Sequence, residues 1–195
     1  GEFGFREDYA AGNVSEEAYF DKFAVTSDGE TLLSDDFSGT TCLFANGDIA
    51  GGRFHVVGPG KYAWQQDTSS FVHYDIDVDM TLVNDNAAVC FSATSDNTYL
   101  MWAVNTFGLA EPVVRRHVYK NGSLTYDDTR ISIPKADLIN KKHHLRIECE
   151  TPYVRTYIDN SLVDTYQDTQ GIIAMGDLGF RVSSTGEERE KAYFD

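Results

Sequence analysis

The chain has 195 residues, 42% of them hydrophobic and 24% charged, which fits one globular domain with a real core and excludes a disordered tail. Sixteen basic against 31 acidic residues leave a formal charge of −15, a balance that repels phosphate backbones and anionic bilayers and argues against nucleic-acid binding. No apolar stretch approaches the roughly 20 residues that a membrane-spanning helix needs, so no membrane insertion is expected.

From the start of the chain, Gly4-Phe5-Arg6, Gly12 and Glu17-Ala18-Tyr19-Phe20-Asp21 come first. Ser34-Asp35-Asp36-Phe37-Ser38-Gly39 then leads into the main body. Tyr74-Asp75-Ile76-Asp77-Val78-Asp79-Met80 alternates apolar with acidic, the pattern of a half-buried strand with one wet face. Its carboxylates share that face and read as solvated, with a calcium or sugar contact as the alternative. Residues 87–93 and 99–104 are apolar on both parities, as in central strands with the core on one side and a sheltered surface on the other. Alternation puts Leu100, Trp102 and Val104 on one face, read as core, and Tyr99, Met101, Ala103 and Asn105 on the opposite one.

Asn121-Gly122 after His117-Val118-Tyr119-Lys120 predicts a type I′ hairpin, and Asp159-Asn160 predicts another before residues 161–166. Residues 134–140 read as a helical turn with an early proline. The period-two beat returns at 143–149 and 154–159, where His143 and His144 point to opposite faces and cannot hold one metal together. The three cysteines, Cys42, Cys90 and Cys149, allow at most one bridge and read as buried thiols in strands. Many short strands separated by Gly, Asn and Asp turns predict an all-β fold, a two-sheet antiparallel β-sandwich of jelly-roll type.

The two ends repeat each other. Phe180 follows Phe5 by 175 residues, Gly186 follows Gly12 by 174 and Ala192 follows Ala18 by 174, within Gly179-Phe180-Arg181 and Lys191-Ala192-Tyr193-Phe194-Asp195. This register implies a tandem array. Residues 1–27 would be the closing strand of a preceding module plus linker, and residues 28–195 the jelly-roll module. The leading copy is expected to pair on a sheet edge, in its own molecule or in a neighbour, which makes a strand-exchange dimer through residues 1–25 an expected partner mode.

Residues from about 34 to 195 resemble the concanavalin A-like (laminin-G-like) jelly-roll modules appended to bacterial α-L-rhamnosidases and other polysaccharide-degrading enzymes. The resemblance rests on Ser34 to Gly39, Phe71 to Met80, residues 87–93, Asn97-Thr98-Tyr99-Leu100-Met101-Trp102 and Arg115-Arg116-His117-Val118-Tyr119-Lys120-Asn121-Gly122. It continues through residues 156–164, Leu178-Gly179-Phe180-Arg181 and the closing Ala192-Tyr193-Phe194-Asp195. It implies a non-catalytic carbohydrate-binding module within a larger secreted or cell-surface protein, with a glycan ligand and the other domains of the same polypeptide as partners. A structural or protein-interaction spacer is the alternative, and a polysaccharide-active enzyme of the same fold comes third. Modules of this kind often hold a structural Ca2+ near the joined chain ends, which makes Asp35, Asp36 and Asp195 the candidate metal ligands.

The residues themselves offer no catalytic signature. The strand motif Glu-x-Asp-x-x-Glu of glucan hydrolases, a nucleophile elbow, a His-Glu-x-x-His helix and a phosphate-binding loop are all missing from the sequence. A sugar presents apolar C–H faces and hydroxyl edges, so its site needs an aromatic platform with fork-like donors and acceptors. Tyr62 and Trp64 are candidates for the platform. Asp96, Asn97, Tyr99 and Asn105 belong to one strand and its approach, and Arg115 and His117 to a neighbour. Arg115 and His117 are exposed ligands if Val114 and Val118 are core, an arrangement that leaves Arg116 in need of a buried partner.

Overall fold

Burying every second residue of a strand requires a second layer to bury it against, and the chain solves this with two antiparallel sheets. The computed structural model describes residues 2–6, 18–39, 48–49, 52, 54–57, 62–64, 73–82, 86–95, 98–106, 109–173, 177–181 and 191–194. The strands are β1 (Glu2–Arg6), β2 (Ala18–Ser27), β3 (Glu30–Asp35), β4 (Asp48–Ile49), β5 (Phe54–Val57), β6 (Tyr62–Trp64), β7 (His73–Leu82) and β8 (Asn86–Ser95). They continue with β9 (Thr98–Asn105), β10 (Val113–Lys120), β11 (Ser123–Arg130), β12 (Lys142–Glu150), β13 (Tyr153–Ile158), β14 (Ser161–Gln167), β15 (Asp177–Arg181) and β16 (Lys191–Phe194). A single turn of helix, α1 (Lys135–Leu138), stands where residues 134–140 predict one.

One principal sheet runs β11-β10-β9-β8-β15-β6, with β1 also paired to β8. The other runs β14-β13-β12-β7-β2-β3, and β16-β5-β4 forms a small third sheet. Between the principal sheets, Ile76, Val78 and Met80 of β7 and Leu145, Ile147 and Cys149 of β12 meet Val89 and Phe91 of β8 and Leu100, Trp102 and Val104 of β9. Trp102 packs edge-on against Phe91 at 4.9 Å and Tyr166 at 5.4 Å, so it is a core residue, as alternation requires. A hydrogen bond of 2.8 Å joins the Tyr74 and Ser92 hydroxyls across the layers. Cys149 is the buried thiol expected of it, and burial pushes its pKa up; Cys42 and the side chain of Cys90 lie outside the described residues.

The turns follow their residue chemistry. Asn121 (φ 51°) and Gly122 (φ 77°) are both left-handed, as are Asp159 (φ 49°) and Asn160 (φ 65°), the backbone signature of type I′ hairpins. Asp28 (φ 51°) and Gly29 (φ 80°) make a third such turn, joining β2 to β3. The leading residues therefore form main-chain ladders within their own molecule, β1 with β8 and β2 with both β7 and β3.

The outward face of β7 is the acidic one. His144 lies between Asp77 at 2.9 Å and Asp79 at 3.0 Å, while His143 points inward and bonds Asp159 and the Asp137 carbonyl. Burial acts to raise the Asp79 pKa, and the bonds from His144 and Lys142 outweigh it and lower it.

Arg116 has the partner its position demands. Val114 and Val118 are buried, so Arg116 shares their inward face. There it meets Asp164 of the opposite sheet at 3.8 Å and Asp127 at 2.5 Å, and its guanidinium lies 5.7 Å from the Tyr166 ring centre. Asp164 also accepts a bond of 2.6 Å from the Thr129 hydroxyl. Removing one member of a buried pair leaves the other charge uncompensated. Arg116→Met, which leaves the buried Asp164 without its cation, is expected to lower the urea-unfolding free energy by more than Arg115→Met on the outward face, for which under about 1 kcal/mol is expected. Equal losses in the two variants would show that the Arg116 contact is not a buried pair at all.

Candidate functional site

The Asn121-Gly122 hairpin fixes the register of β10 and β11, and β10 in turn fixes β9. Three rows of side chains result on the face turned away from the core. Tyr99, Tyr119 and Leu124 form one row, Met101, His117 and Tyr126 the next, and Ala103, Arg115 and Asp128 the third. The rows become more accessible toward the sheet edge. Tyr99, Met101 and Ala103 of β9 are buried, whereas Leu124 and Tyr126 of β11 are exposed, Tyr126 to 66%.

Chemistry concentrates at the β10–β11 end. Arg115 grips Asp128 in a two-pronged ion pair, Nε to Oδ1 and Nη2 to Oδ2, each at 2.8 Å. Its guanidinium carbon lies 5.5 Å from the centre of the Tyr126 ring. The His117 ring sits between two tyrosines, 6.1 Å from Tyr126 and 6.4 Å from Tyr119, and Tyr119 stacks on Tyr99 at 4.2 Å. Hydrogen bonds from Arg115 hold the Asp128 carboxyl below its ordinary pKa; partial burial opposes this, and the charges of Arg115, His117 and Arg116 add to the lowering. The result is an aromatic plane beside a fixed fork of donors and acceptors.

Four of the sequence candidates therefore share one face of one sheet: Arg115 and His117 on β10, and Tyr99 and Asn105 on β9. Tyr99, Asn105 and His117 are all buried there, so His117 is not the exposed ligand expected of it: its ring is enclosed between Tyr119 and Tyr126. Tyr62 and Trp64 belong to β6 at the far edge of the same sheet, with β15, β8 and β9 between β6 and β10. Four strand spacings make about 19 Å, so the structure does not bring them to Arg115. The side chains of Tyr62 and Trp64, and all of Asp96 and Asn97, lie outside the described residues. Tyr126 and Asp128 were not among the sequence candidates, although the two-residue turn sets them opposite His117 and Arg115.

For the expected metal ligands, the observed bonds are local. Asp35 accepts the Phe37 amide at 2.8 Å, and Asp36 accepts both the amide (3.0 Å) and the hydroxyl (2.7 Å) of Ser38. Asp195 lies outside the described residues. Among the described residues no cluster of three or more His, Cys, Asp or Glu side chains is arranged to hold a metal ion.

A larger depression of about 510 Å³ opens on the other sheet, lined by Thr26, Asp28, His73, Asp75, Glu148 and Arg155 among others. Burial raises the Asp75 pKa, with the charges of Glu148 and Asp77 adding to it. Its ionic groups are turned on one another, Arg155 to Glu150 at 3.0 Å and the Tyr157 hydroxyl to Glu148 at 2.8 Å. The aromatic ring in its lining, Tyr74, is buried. The β9–β11 face is the better candidate, because it combines an open ring with an ordered polar pair.

No protein-family model matches the sequence, and no curated protein matches it. Solved structures do match by shape. The carbohydrate binding module CBM66 from Bacillus subtilis superposes with a TM-score of 0.53 at 17% identity, over 73% of this chain and 83% of that one. The β-glucanase of Bacillus licheniformis gives 0.45 at 11% identity, over 85% of this chain and 82% of that one. Sheep galectin-11 gives 0.44 at 12%, over 66% and 96%. The fold is a concanavalin A-like jelly-roll sandwich. Among the described residues no helix is long and apolar enough to cross a membrane.

The Arg115–Asp128 pair has a pH signature. A carboxyl whose pKa is depressed on folding contributes stability above its unfolded pKa and loses it as pH falls through the folded value. Arg115→Gln is expected to return Asp128 to the ordinary aspartate range in a carbon-detected NMR titration, and to remove its share of the stability change below about pH 4. An Asp128 that titrates equally low in the variant would show that Arg115 is not what holds it.

Proposed function

We propose that this protein is a non-catalytic carbohydrate-binding module that seats a glycan on the β9–β11 face, within a larger secreted or cell-surface protein that degrades polysaccharides. The observation that carries this reading is the open Tyr126 ring beside the two-pronged Arg115–Asp128 pair. The ring offers a plane for sugar C–H groups, and the pair offers donors and acceptors fixed relative to that plane. The shape likeness to a module whose name states carbohydrate binding supports the same reading.

The face is poorly suited to hydrolysis. Glycosidases need two carboxyls across the scissile bond, one of them with a raised pKa. Among the described residues of these three rows Asp128 is the one carboxylate, and Arg115 keeps it ionised. As a module the domain would act by avidity, holding its parent protein on the substrate.

A glycan array, run with calcium and again with chelator, tests the proposal. Selective binding to one sugar class is expected, and loss in chelator would support a calcium ion among Asp35, Asp36 and Asp195. Tyr126→Ala is expected to weaken that binding at least tenfold, about 1.4 kcal/mol. Leu162→Ala, an exposed residue of the opposite sheet, should leave it unchanged. Silence of the folded protein across the array would return the domain to the role of a spacer, and full binding by Tyr126→Ala would move the site elsewhere.

A further inference from the structure

The repeated ends of the chain meet at one place in the fold. Strand β8 is paired along one edge by β9, with Ala88 opposite Ala103 and Val89 opposite Trp102. Its other edge is claimed twice. In β1, Glu2 is opposite Ala93 and Gly4 is opposite Cys90. In β15, Asp177 is opposite Ala93 and Gly179 is opposite Cys90. Asp177 follows Glu2 by 175 residues, and Gly179 follows Gly4 by the same 175, which is the offset between Phe5 and Phe180. The spacing found in the sequence therefore reappears as identical register on the same two acceptor residues.

One edge of a strand takes one neighbour, about 4.8 Å away. Two strands in one register against one edge are alternatives for a single position. The second half of the repeat is divided in a matching way. The leading Ala18-Tyr19-Phe20 opposes Leu82, Thr81 and Met80 in β2, deep in a principal sheet. The trailing Ala192-Tyr193-Phe194 opposes Val56, His55 and Phe54 of β5 in the small third sheet. The chain thus carries two copies of the closing-strand pair, whose first strands share one position while their second strands take separate ones.

We propose that the edge of β8 opposite β9 is a single slot served by two interchangeable strands, and that the strand not seated in it closes the same slot in a second copy of this chain. Exchange swaps one set of main-chain bonds for an equivalent set, so it costs little and depends on concentration. The partner is recognised by the main-chain donors and acceptors of its acceptor strand, from Ala88 to Ala93.

Cys90 provides the test, because opposed residues of an antiparallel pair bring their Cβ atoms to about 4.5–5.5 Å, close enough for a disulfide to form with modest adjustment. Gly4→Cys and Gly179→Cys are made separately in the full chain, oxidised over a tenfold concentration range, and resolved on a non-reducing gel with the Cys90 peptide identified by mass spectrometry. Both variants are expected to bridge to Cys90, with a share at twice the chain mass that grows with concentration. A bridge in only one variant, or bridges confined to the single-chain mass at every concentration, would overturn the proposal. If circular dichroism shows either variant unfolded, Glu2→Cys with Ala93→Cys and Asp177→Cys with Ala93→Cys read the same two registers and are judged by the same outcomes.

Discussion

The need of Arg116 for counter-charge on the inward face of β10, met by Asp127 and Asp164, is the constraint from which the candidate site follows. A strand that buries Val114 and Val118 must bury whatever stands between them on the same face. In β10 that residue is an arginine, which an apolar layer would reject without a counter-charge. Asp127 of the neighbouring strand supplies it at 2.5 Å, with Asp164 of β14 at 3.8 Å across the sandwich, held in turn by the Thr129 hydroxyl. With the parity settled, Arg115, His117 and Tyr119 have no choice but to face outward. The same alternation on β11 sends Asp127 and Thr129 toward the buried pair and Tyr126 and Asp128 to the open face. A single buried contact thus orients both strands of the hairpin.

Much of this was legible in the residues. The alternation of β7, β12 and β13, two of the three type I′ turns and the two-sided burial of β9 can all be read from period and turn chemistry, because they depend on neighbours a few positions away. Tyr126 and Asp128 were legible too, by a step beyond the turn itself: a two-residue hairpin fixes every cross-strand partner, so Asn121-Gly122 alone places residue 128 opposite Arg115. What could not be read is the order of strands within a sheet. Tyr62 and Trp64 looked suited to a platform beside Arg115, yet β6 is the far edge of the sheet, and nothing local in the sequence encodes that separation. The partner of Arg116 was equally invisible, since Asp164 lies 48 residues away in the other layer.

The repeat at the chain ends shows a different limit. Self-similarity reveals that two segments are equivalent, and not which of them is seated. The leading copy has an advantage in β2, because the Asp28-Gly29 turn ties it directly to β3 and it is flanked by β7 on its other side. Along β8 the two have the same register, and β15 differs in pairing β6 on its far side. Local connection decides the first position, whereas along β8 the register alone does not.

The charge of the whole chain bears on what the outer face can hold. At −15 the molecule repels anionic ligands at long range. Arg115 and Arg116 bring cationic groups to the face and its rim, but each is committed to carboxylates, Arg115 to Asp128 and Arg116 to Asp127 and Asp164. The Arg115–Asp128 fork is therefore a dipole and not a free positive charge. A carboxylate or sulfate would have to displace Asp128 to gain a full ion pair, and would do so against the field of the molecule. A pair of neighbouring hydroxyls can donate to Asp128 and accept from Arg115 while the ion pair stays intact. On the proposed reading, the intact Arg115–Asp128 pair at this face favours uncharged sugar units over acidic ones.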